Sequence, residues 1–284
     1  MKCSCLRLAS LGPICICLAL SFGTPFHSAL FALEIPKTVA HRGFSAIAPE
    51  NTLSSIRKAW EAGAHGSECD VCVTRDNVVC LMHDDTTKRT SNGRIDLRMS
   101  ETDWEQLQEV SVPAGKAGYE DEKIPTLVQA LETHKQCPGC VPVIELNDSR
   151  AALEVLKVLK KTEMLDKVFI LSFSGEAVKT VRTNSKVPTA WLFGRLRTPK
   201  DVRNAAQKTL KAGADMIDIM YHPGLTAEHI QAAHDEGVLV WVWTVNDLEV
   251  MKKLLAMGVD SITTDHPDLM AAALADYSNK SEKE

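Results

Sequence analysis

The sequence lacks an excess of positive charge. Its 284 residues include 32 lysines and arginines against 37 aspartates and glutamates, which gives a formal net charge of -5. Proteins that bind nucleic acid through its phosphates carry a basic face. The composition therefore argues against nucleic acid as a partner, and a phosphate ligand has to be held by a few local residues.

The chain also lacks an apolar run of the roughly 20 residues that are needed to span a bilayer. Its most apolar segment, Leu8 to Leu20, follows the basic residues Lys2 and Arg7 and precedes small and mixed residues up to about Ala32. This order is typical of a secretory signal peptide. We therefore predict a signal peptide over residues 1–32, a mature chain over residues 33–284 without an integral membrane span, and a secreted or periplasmic location.

An uncleaved anchor and a lipid-anchored leader are the alternatives. The apolar segment is short and contains a Gly-Pro interruption, which disfavours the anchor. Cys15 and Cys17 are the candidate lipid-bearing residues, but Pro13 and Ile14 before them are not the small residues that such a leader needs.

Beyond the leader the chain has only five cysteines, and a zinc site at Cys137 and Cys140 would need a second ligand pair. These two residues flank Pro138 and Gly139, and in an exported chain we predict that they close a small disulfide loop. Cys69 and Cys72 have the same spacing, but on a strand they point to opposite faces. We expect them to pack in the core.

No low-complexity linker divides the mature chain, whose length is close to the roughly 250 residues of an eight-stranded α/β barrel. In a recurring unit, a helix-like segment ends at a small residue and glycine, and a short apolar strand follows. Glycine suits the left-handed position after a helix, and short helix-to-strand returns are what a barrel requires. The predicted strands are Thr38 to His41, Gly66 to Val73, Val141 to Leu146, Val168 to Ser172, Thr189 to Phe193, Met216 to Ile219, Leu239 to Thr244 and Ser261 to Thr264.

Eight strands that alternate with helices predict a TIM (β/α)8 barrel. The polar region of about residues 85–123 breaks the alternation and predicts a small insertion after the second strand. Asn51 or Thr52 is expected to cap the first helix, and Asn246, with Glu249 three residues on, to cap a later one.

Acidic side chains fall where predicted strands end, which is where a barrel of this type places its active site. Glu68 and Asp70 are two residues apart on a strand and therefore face the same side. Burying both carboxylates without a cation is costly, although an arginine or main-chain amides are alternative partners. Glu145 stands at the end of another predicted strand, directly after the apolar run Val141 to Ile144. Oxygen ligands favour Mg2+ or Ca2+, and the sequence does not choose between these ions.

Two histidines stand at further strand ends. His41 precedes Arg42 and Gly43, so a titratable ring, a phosphate-binding guanidinium and a flexible backbone lie together. A short apolar strand, Val78 to Met82, delivers His83 near the acidic residues. Cleaving a phosphodiester needs a cation, a base for the attacking oxygen and an acid for the departing one. The residues therefore predict a metal-assisted phosphodiester-cleaving site. Trp243, also at a strand end, is a candidate to pack against the alcohol moiety of a substrate. The alternative is that it packs in the core.

At this point the sequence resembles the glycerophosphodiester phosphodiesterase family over about residues 38–268. Several short motifs occur in the family's order, which is more specific than any one of them. They are His41-Arg42-Gly43, Pro49-Glu50-Asn51-Thr52, Glu68 and Asp70 with Val71, Thr74 and Asp76, His83-Asp84 with Thr86, Ile124-Pro125-Thr126-Leu127, Glu145, Trp243-Thr244-Val245-Asn246, and Ile262 to Asp265 before Pro267.

The resemblance implies one divalent ion on Glu68, Asp70 and Glu145, with His41 and His83 as the general acid and base. It also implies that Arg42 binds the phosphate and that the products are an alcohol and glycerol 3-phosphate. The expected partner is a small phosphodiester of lipid and glycerol metabolism, and no obligate protein partner is indicated.

One position departs from the family pattern. The family commonly carries a lysine two residues after the third acidic ligand, where this chain has Asn147. Asparagine keeps hydrogen bonding but loses the charge, so Asn147 is a candidate phosphate-binding residue with altered affinity. Arg195 is a candidate replacement for the missing charge.

Two other functions remain open on the sequence. One is a related phospholipase D-like lyase that releases a cyclic phosphate, and the other is a non-catalytic binding protein on the same barrel. Product analysis distinguishes the lyase, and turnover distinguishes the binding protein.

Overall fold

The computed structural model describes residues 33–147 and 149–281. The predicted signal peptide, residues 1–32, lies outside the described residues. Among those that are described, no helix combines the length and the apolar character needed to cross a membrane.

Within the described ranges, nine strands form one sheet: β1 Thr38–Ala40, β2 Gly66–Val73, β3 Val79–Leu81, β4 Val141–Leu146, β5 Phe169–Ser172, β6 Thr189–Phe193, β7 Met216–Met220, β8 Leu239–Trp243 and β9 Ser261–Thr264. Eight of them run parallel, and β1 pairs with both β9 and β2, which closes the barrel. The predicted TIM barrel is confirmed. All predicted strands are present, with bounds that agree within one residue.

Helices follow the strands and cover the barrel: α1 Leu53–Glu61, α2 Trp104–Leu107, α3 Leu127–Lys135, α4 Ser149–Lys161, α5 Gly175–Asn184, α6 Pro199–Lys211, α7 Ala227–His234, α8 Leu248–Ala256 and α9 Pro267–Ser281. Thr52 caps α1, and its side chain accepts a hydrogen bond from the amide of Ser55. The expected cap at Asn246 is wrong, because Asp247 caps α8 by accepting from the amide of Val250.

The insertion follows the second barrel strand, as predicted, and begins with β3. This strand runs antiparallel to the end of β2 and returns the chain to Asp70, whose carbonyl accepts from the amide of Met82 at 3.0 Å. The rest of the insertion includes a 3-10 turn, Met99–Glu101, and the short α2. Its own small apolar core packs on β3 and contains Met82, Met99, Leu107, Val110 and Val112. The insertion is therefore anchored beside the strand ends.

The cysteines require one correction. Cys137 and Cys140 are free thiols, so the expected disulfide is not formed in this structure. The turn between α3 and β4 is closed instead by a main-chain hydrogen bond, in which the amide of Cys140 donates to the carbonyl of Cys137 at 3.1 Å. Gly139 supplies the positive φ of 82° that this turn uses. Cys69 packs in the core, as expected.

Candidate active site

Three carboxylates meet inside the mouth of the barrel. Glu68 and Asp70 lie on β2, and Asp70 is directly opposite Glu145 on the neighbouring β4. One ligand oxygen of each residue lies within 4.8 Å of the others. Because the period of a strand is two residues, β2 presents both of its acids to the same side. The structure brings together all three predicted metal ligands.

The electrostatics of this cluster fit a cation. Glu68 is 1% exposed, and its Oε1 has no hydrogen-bond partner among the described residues. Burial, with the nearby Asp70 and Glu145 charges, raises the pKa of Glu68 well above its usual value. Burial and then the Asp70 charge raise the pKa of Glu145 to about 8. A divalent ion would supply the missing partner and offset the cost of burying these charges.

Arg42 borders the carboxylates from the turn after β1. Its amide donates to Glu68 Oε2 at 2.9 Å, and its Nη1 donates to Glu50 Oε1 at 2.9 Å. Its Nε lies 3.2 Å from Asp70 Oδ2. Arg42 itself has a φ of 55°, and Gly43 has a φ of 77°. A side chain at Gly43 would collide with Ser55, so the tight turn that aims Arg42 depends on this glycine.

His41 is oriented by an acid at the end of β9. Its Nδ1 lies 2.7 Å from Asp265 Oδ1, and the same carboxylate accepts from Ser45 Oγ at 3.0 Å. The Asn246 amide group donates to Asp265 Oδ2 at 2.6 Å. Burial opposes ionisation of Asp265, but the hydrogen bonds from His41, Asn246 and Ser45 hold its pKa below its usual value. A carboxylate on Nδ1 fixes the ring and leaves Nε2 for proton transfer.

His83 has a matching arrangement. Its Nδ1 lies 2.8 Å from Asp84 Oδ1. Arg89 holds this acid with two hydrogen bonds, from Nε at 2.8 Å and from Nη2 at 2.9 Å. These bonds, mainly those of Arg89, lower the pKa of Asp84 to about 2. Arg89 also donates to both oxygens of Glu50, which contacts Arg42. A continuous charge network therefore links the His83 segment to the Arg42 turn.

The side chains of Asn51 and Asn147 hold neighbouring parts of the site in place by hydrogen bonds. Asn51 Nδ2 donates to Asp70 Oδ2 at 2.8 Å, and its Oδ1 accepts from the Asp70 amide at 3.0 Å. Asn147 Nδ2 donates to the carbonyls of Met82 and His83 at 3.3 and 3.2 Å. Asn147 thus contacts the main chain that carries His83. Arg195 is exposed beyond β6 and does not line the cavity, so the structure does not place it where it would replace the missing lysine.

A cavity of about 130 Å³ connects the predicted residues. Trp243, at the end of β8, contributes to its wall and packs edge-on against Phe173, with ring centroids 5.6 Å apart. Among the residues described, its lining comprises His41, Arg42, Glu68, Asp70, His83, Glu145, Leu171, Phe173, Leu192, Asp218, Trp243 and Thr263. One side therefore carries the acidic cluster, Arg42 and the histidines, and the other is mostly apolar and aromatic, with the buried Asp218 within it. This pairing suits a phosphodiester with a small organic group.

The family comparison agrees with this geometry. The model of the glycerophosphoryl diester phosphodiesterase family matches residues 41–269. The chain belongs to this family. It is an enzyme of the glycerophosphodiester phosphodiesterase class, a phosphoric diester hydrolase.

Curated relatives and solved structures are similar over nearly the whole barrel. A glycerophosphodiester phosphodiesterase of Bacillus subtilis is 29% identical over 256 residues, which cover 82% of this chain and 84% of the relative. One from Caldanaerobacter subterraneus is 26% identical over 240 residues, with 82% and 95% covered. The crystal structure of a glycerophosphodiester phosphodiesterase from Parabacteroides distasonis has a TM-score of 0.70 and 26% identity, covering 85% of this chain and 98% of that chain.

The barrel is also similar to an Oleispira antarctica phosphodiesterase solved in complex with the product sn-glycerol-3-phosphate. The TM-score is 0.77 at 24% identity, with 85% of this chain and 97% of that chain covered. At this identity the likeness shows the fold.

Four contributors to the site had no predicted role in it, although the family motifs include three of them and Asn246 was expected as a helix cap. Asp265 and Asn246 orient His41, and Asp84 contacts His83. Arg89 was not singled out at all, because it lies in the polar insertion, where no periodic pattern distinguishes one cation from another. The two histidines were the signal that could have pointed to these carboxylates, since a catalytic imidazole commonly has a carboxylate on its second nitrogen.

Proposed function

We propose that this enzyme hydrolyses glycerophosphodiesters to an alcohol and glycerol 3-phosphate with one divalent cation, Mg2+ or Ca2+, on Glu68, Asp70 and Glu145. The observation that carries the proposal is the meeting of this acidic cluster with two carboxylate-paired histidines at one cavity. A bound cation would neutralise phosphoryl charge in the transition state. The similar Oleispira phosphodiesterase, solved with sn-glycerol-3-phosphate, supports this choice of product.

His41 and His83 are the proposed acid and base pair. With Nδ1 of each ring beside a carboxylate, Nε2 of one histidine removes the proton of the attacking oxygen, and Nε2 of the other protonates the departing alkoxide. Both side chains line the same cavity, and the strands before them, β1 and β3, pair with different parts of β2, the strand that carries Glu68 and Asp70. The order of their roles stays open in this proposal.

Arg42 and Trp243 are the proposed substrate contacts. The Arg42 guanidinium lies between Glu50 and Asp70 and borders the cavity, so it can donate to a phosphoryl oxygen. Trp243 and Phe173 offer an aromatic wall for the organic group. For Asn147 the contacts favour a different role from phosphate binding: its amide holds the carbonyl of His83 and so positions the general acid or base.

The location of the enzyme is a separate proposal. The order of basic, apolar and small residues over residues 1–32 supports export, which gives a secreted or periplasmic enzyme. Cell fractionation with N-terminal sequencing of the mature protein tests it. A start near residue 33 in the exported fraction is expected, and an intact Met1 in the cytosol contradicts it.

The test of the activity is release of glycerol 3-phosphate from a panel of glycerophosphodiesters with Mg2+, Ca2+ or a chelator. His41→Ala is compared with His65→Ala, a matched change at an exposed histidine before β2, at the opposite end of the barrel. We expect cation-dependent release that is lost in the first variant and kept in the second. A cyclic phosphate as the final product would instead indicate the lyase.

A further inference from the structure

Cys72 and Cys80 form a thiol pair beside the active site. They lie directly opposite each other on the antiparallel strands β2 and β3. Their sulfur atoms are 3.5 Å apart. Neither thiol belongs to the acidic cluster or contacts the catalytic histidines, so the proposed mechanism does not use them.

The backbone geometry is compatible with a covalent bond. Residues directly opposite in an antiparallel pair have Cα atoms about 4.5 to 5.5 Å apart, which lies inside the range of about 4.4 to 6.8 Å seen in disulfides. The sulfurs need to approach by only about 1.5 Å to reach a bond length near 2.05 Å. Side-chain rotation supplies this movement, and the strands can keep their register.

Access distinguishes this pair from the other described thiols. Cys72 is partly exposed, whereas Cys80 is fully buried beneath it. A reagent can therefore reach the Cys72 thiol, and the Cys80 sulfur lies within contact distance of it. Cys69, Cys137 and Cys140 are all buried. Cys69 also points to the opposite face of β2, because it is three residues from Cys72.

We propose that Cys72 and Cys80 are a disulfide-forming site that locks β2 to β3. The oxidant is a disulfide compound, as expected in the oxidising location to which the leader points. The Cys72 thiolate attacks one sulfur of that compound, which leaves as a thiolate, and a mixed disulfide forms. The Cys80 thiol then loses its proton and displaces the second sulfur. Two protein thiols are oxidised and the compound is reduced to two thiols.

The bond would brace the site. Asp70 lies two residues before Cys72, and His83 lies three residues after Cys80. A covalent link between β2 and β3 therefore fixes the strand that carries an acidic ligand to the strand that delivers a catalytic histidine. It also closes the short loop of residues 73–79, which restricts the unfolded chain.

Peptide mapping tests the proposal directly. The reduced full-length protein is incubated with oxidised glutathione, alkylated and digested with trypsin, which cuts after Arg75 and so separates Cys72 from Cys80. We expect the peptides of residues 59–75 and 76–88 to remain linked, with Cys69 alkylated and a mass lower by two hydrogens than the sum of the two peptides with Cys72 and Cys80 as free thiols. Oxidation is also expected to raise Tm by about 5 °C. Cys72→Ser and Cys80→Ser should abolish this rise, and Cys137→Ser should keep it.

Mapping needs no variant, so its outcome does not depend on how a substitution folds. Alkylation of both Cys72 and Cys80 after oxidation overturns the proposal. So does a glutathione adduct that persists at Cys72, or a link between Cys137 and Cys140 without one between Cys72 and Cys80.

Discussion

Raising the pH should destabilise the metal-free enzyme through Glu145. Burial and the Asp70 charge raise the pKa of this carboxyl from 4.5 to about 8 in the folded protein. In the unfolded chain the carboxyl ionises near its ordinary pKa, so between the two values the folded state holds a proton that the unfolded state has released. Stability that is present at low pH is therefore lost as the pH rises. Between about pH 5 and pH 8 the loss is about 3 kcal/mol from this group.

The assay is urea denaturation at a series of pH values after treatment with a chelator, for the wild type and for Glu145→Gln. The wild type should lose about 3 kcal/mol more unfolding free energy over this range than the amide variant, since Glu68 and Asp218, whose pKa values burial also raises, remain in both proteins. Saturating Mg2+ or Ca2+ should flatten the wild-type curve, because a cation favours the ionised carboxylate. Parallel curves for both proteins without metal would refute the reasoning.

Further substitutions probe the supports of the site. Asp265→Asn should lower kcat by about 10²-fold or more with a smaller change in KM, since it removes the carboxylate on His41 Nδ1; steady-state kinetics checks this, and an unchanged kcat contradicts it. Asn147→Ala should lower kcat about fivefold, because two carbonyls lose their donor near His83, and ion affinity measured by calorimetry should stay unchanged. Gly43→Ala should cost at least about 1–3 kcal/mol in urea denaturation, because of its positive φ and the collision with Ser55; wild-type stability would contradict the role of the turn.

The barrel could be predicted from the sequence because its signals are local. Glycine after a helix and a short apolar strand recur along the chain, and each unit can be recognised without knowing its neighbours. The acidic cluster was predictable for the same reason: Glu68 and Asp70 share a face of one strand whatever else surrounds them. Parallel pairing then had only to place Glu145 beside them, as the register of β2 and β4 does.

The supports of the histidines could not be predicted in the same way. Asp265 and His41 are 224 residues apart in the sequence, and only closure of the barrel through β1 and β9 brings them together. The local spacing of Asn246 predicts a helix cap, but its side chain instead contacts Asp265, which barrel closure brings beside it. Arg89 joins Asp84 and Glu50 only because the insertion folds back over the strand ends.

The central claim is that a cation on the acidic cluster enables hydrolysis at the two histidines. The most direct measurement is titration of the chelated enzyme with Mg2+ or Ca2+, with bound ion and glycerol 3-phosphate release recorded on the same samples. We predict that activity rises in proportion to the occupancy of one site per chain, and that Asp70→Asn loses both. Full activity in the chelator, with no ion bound, would contradict the account.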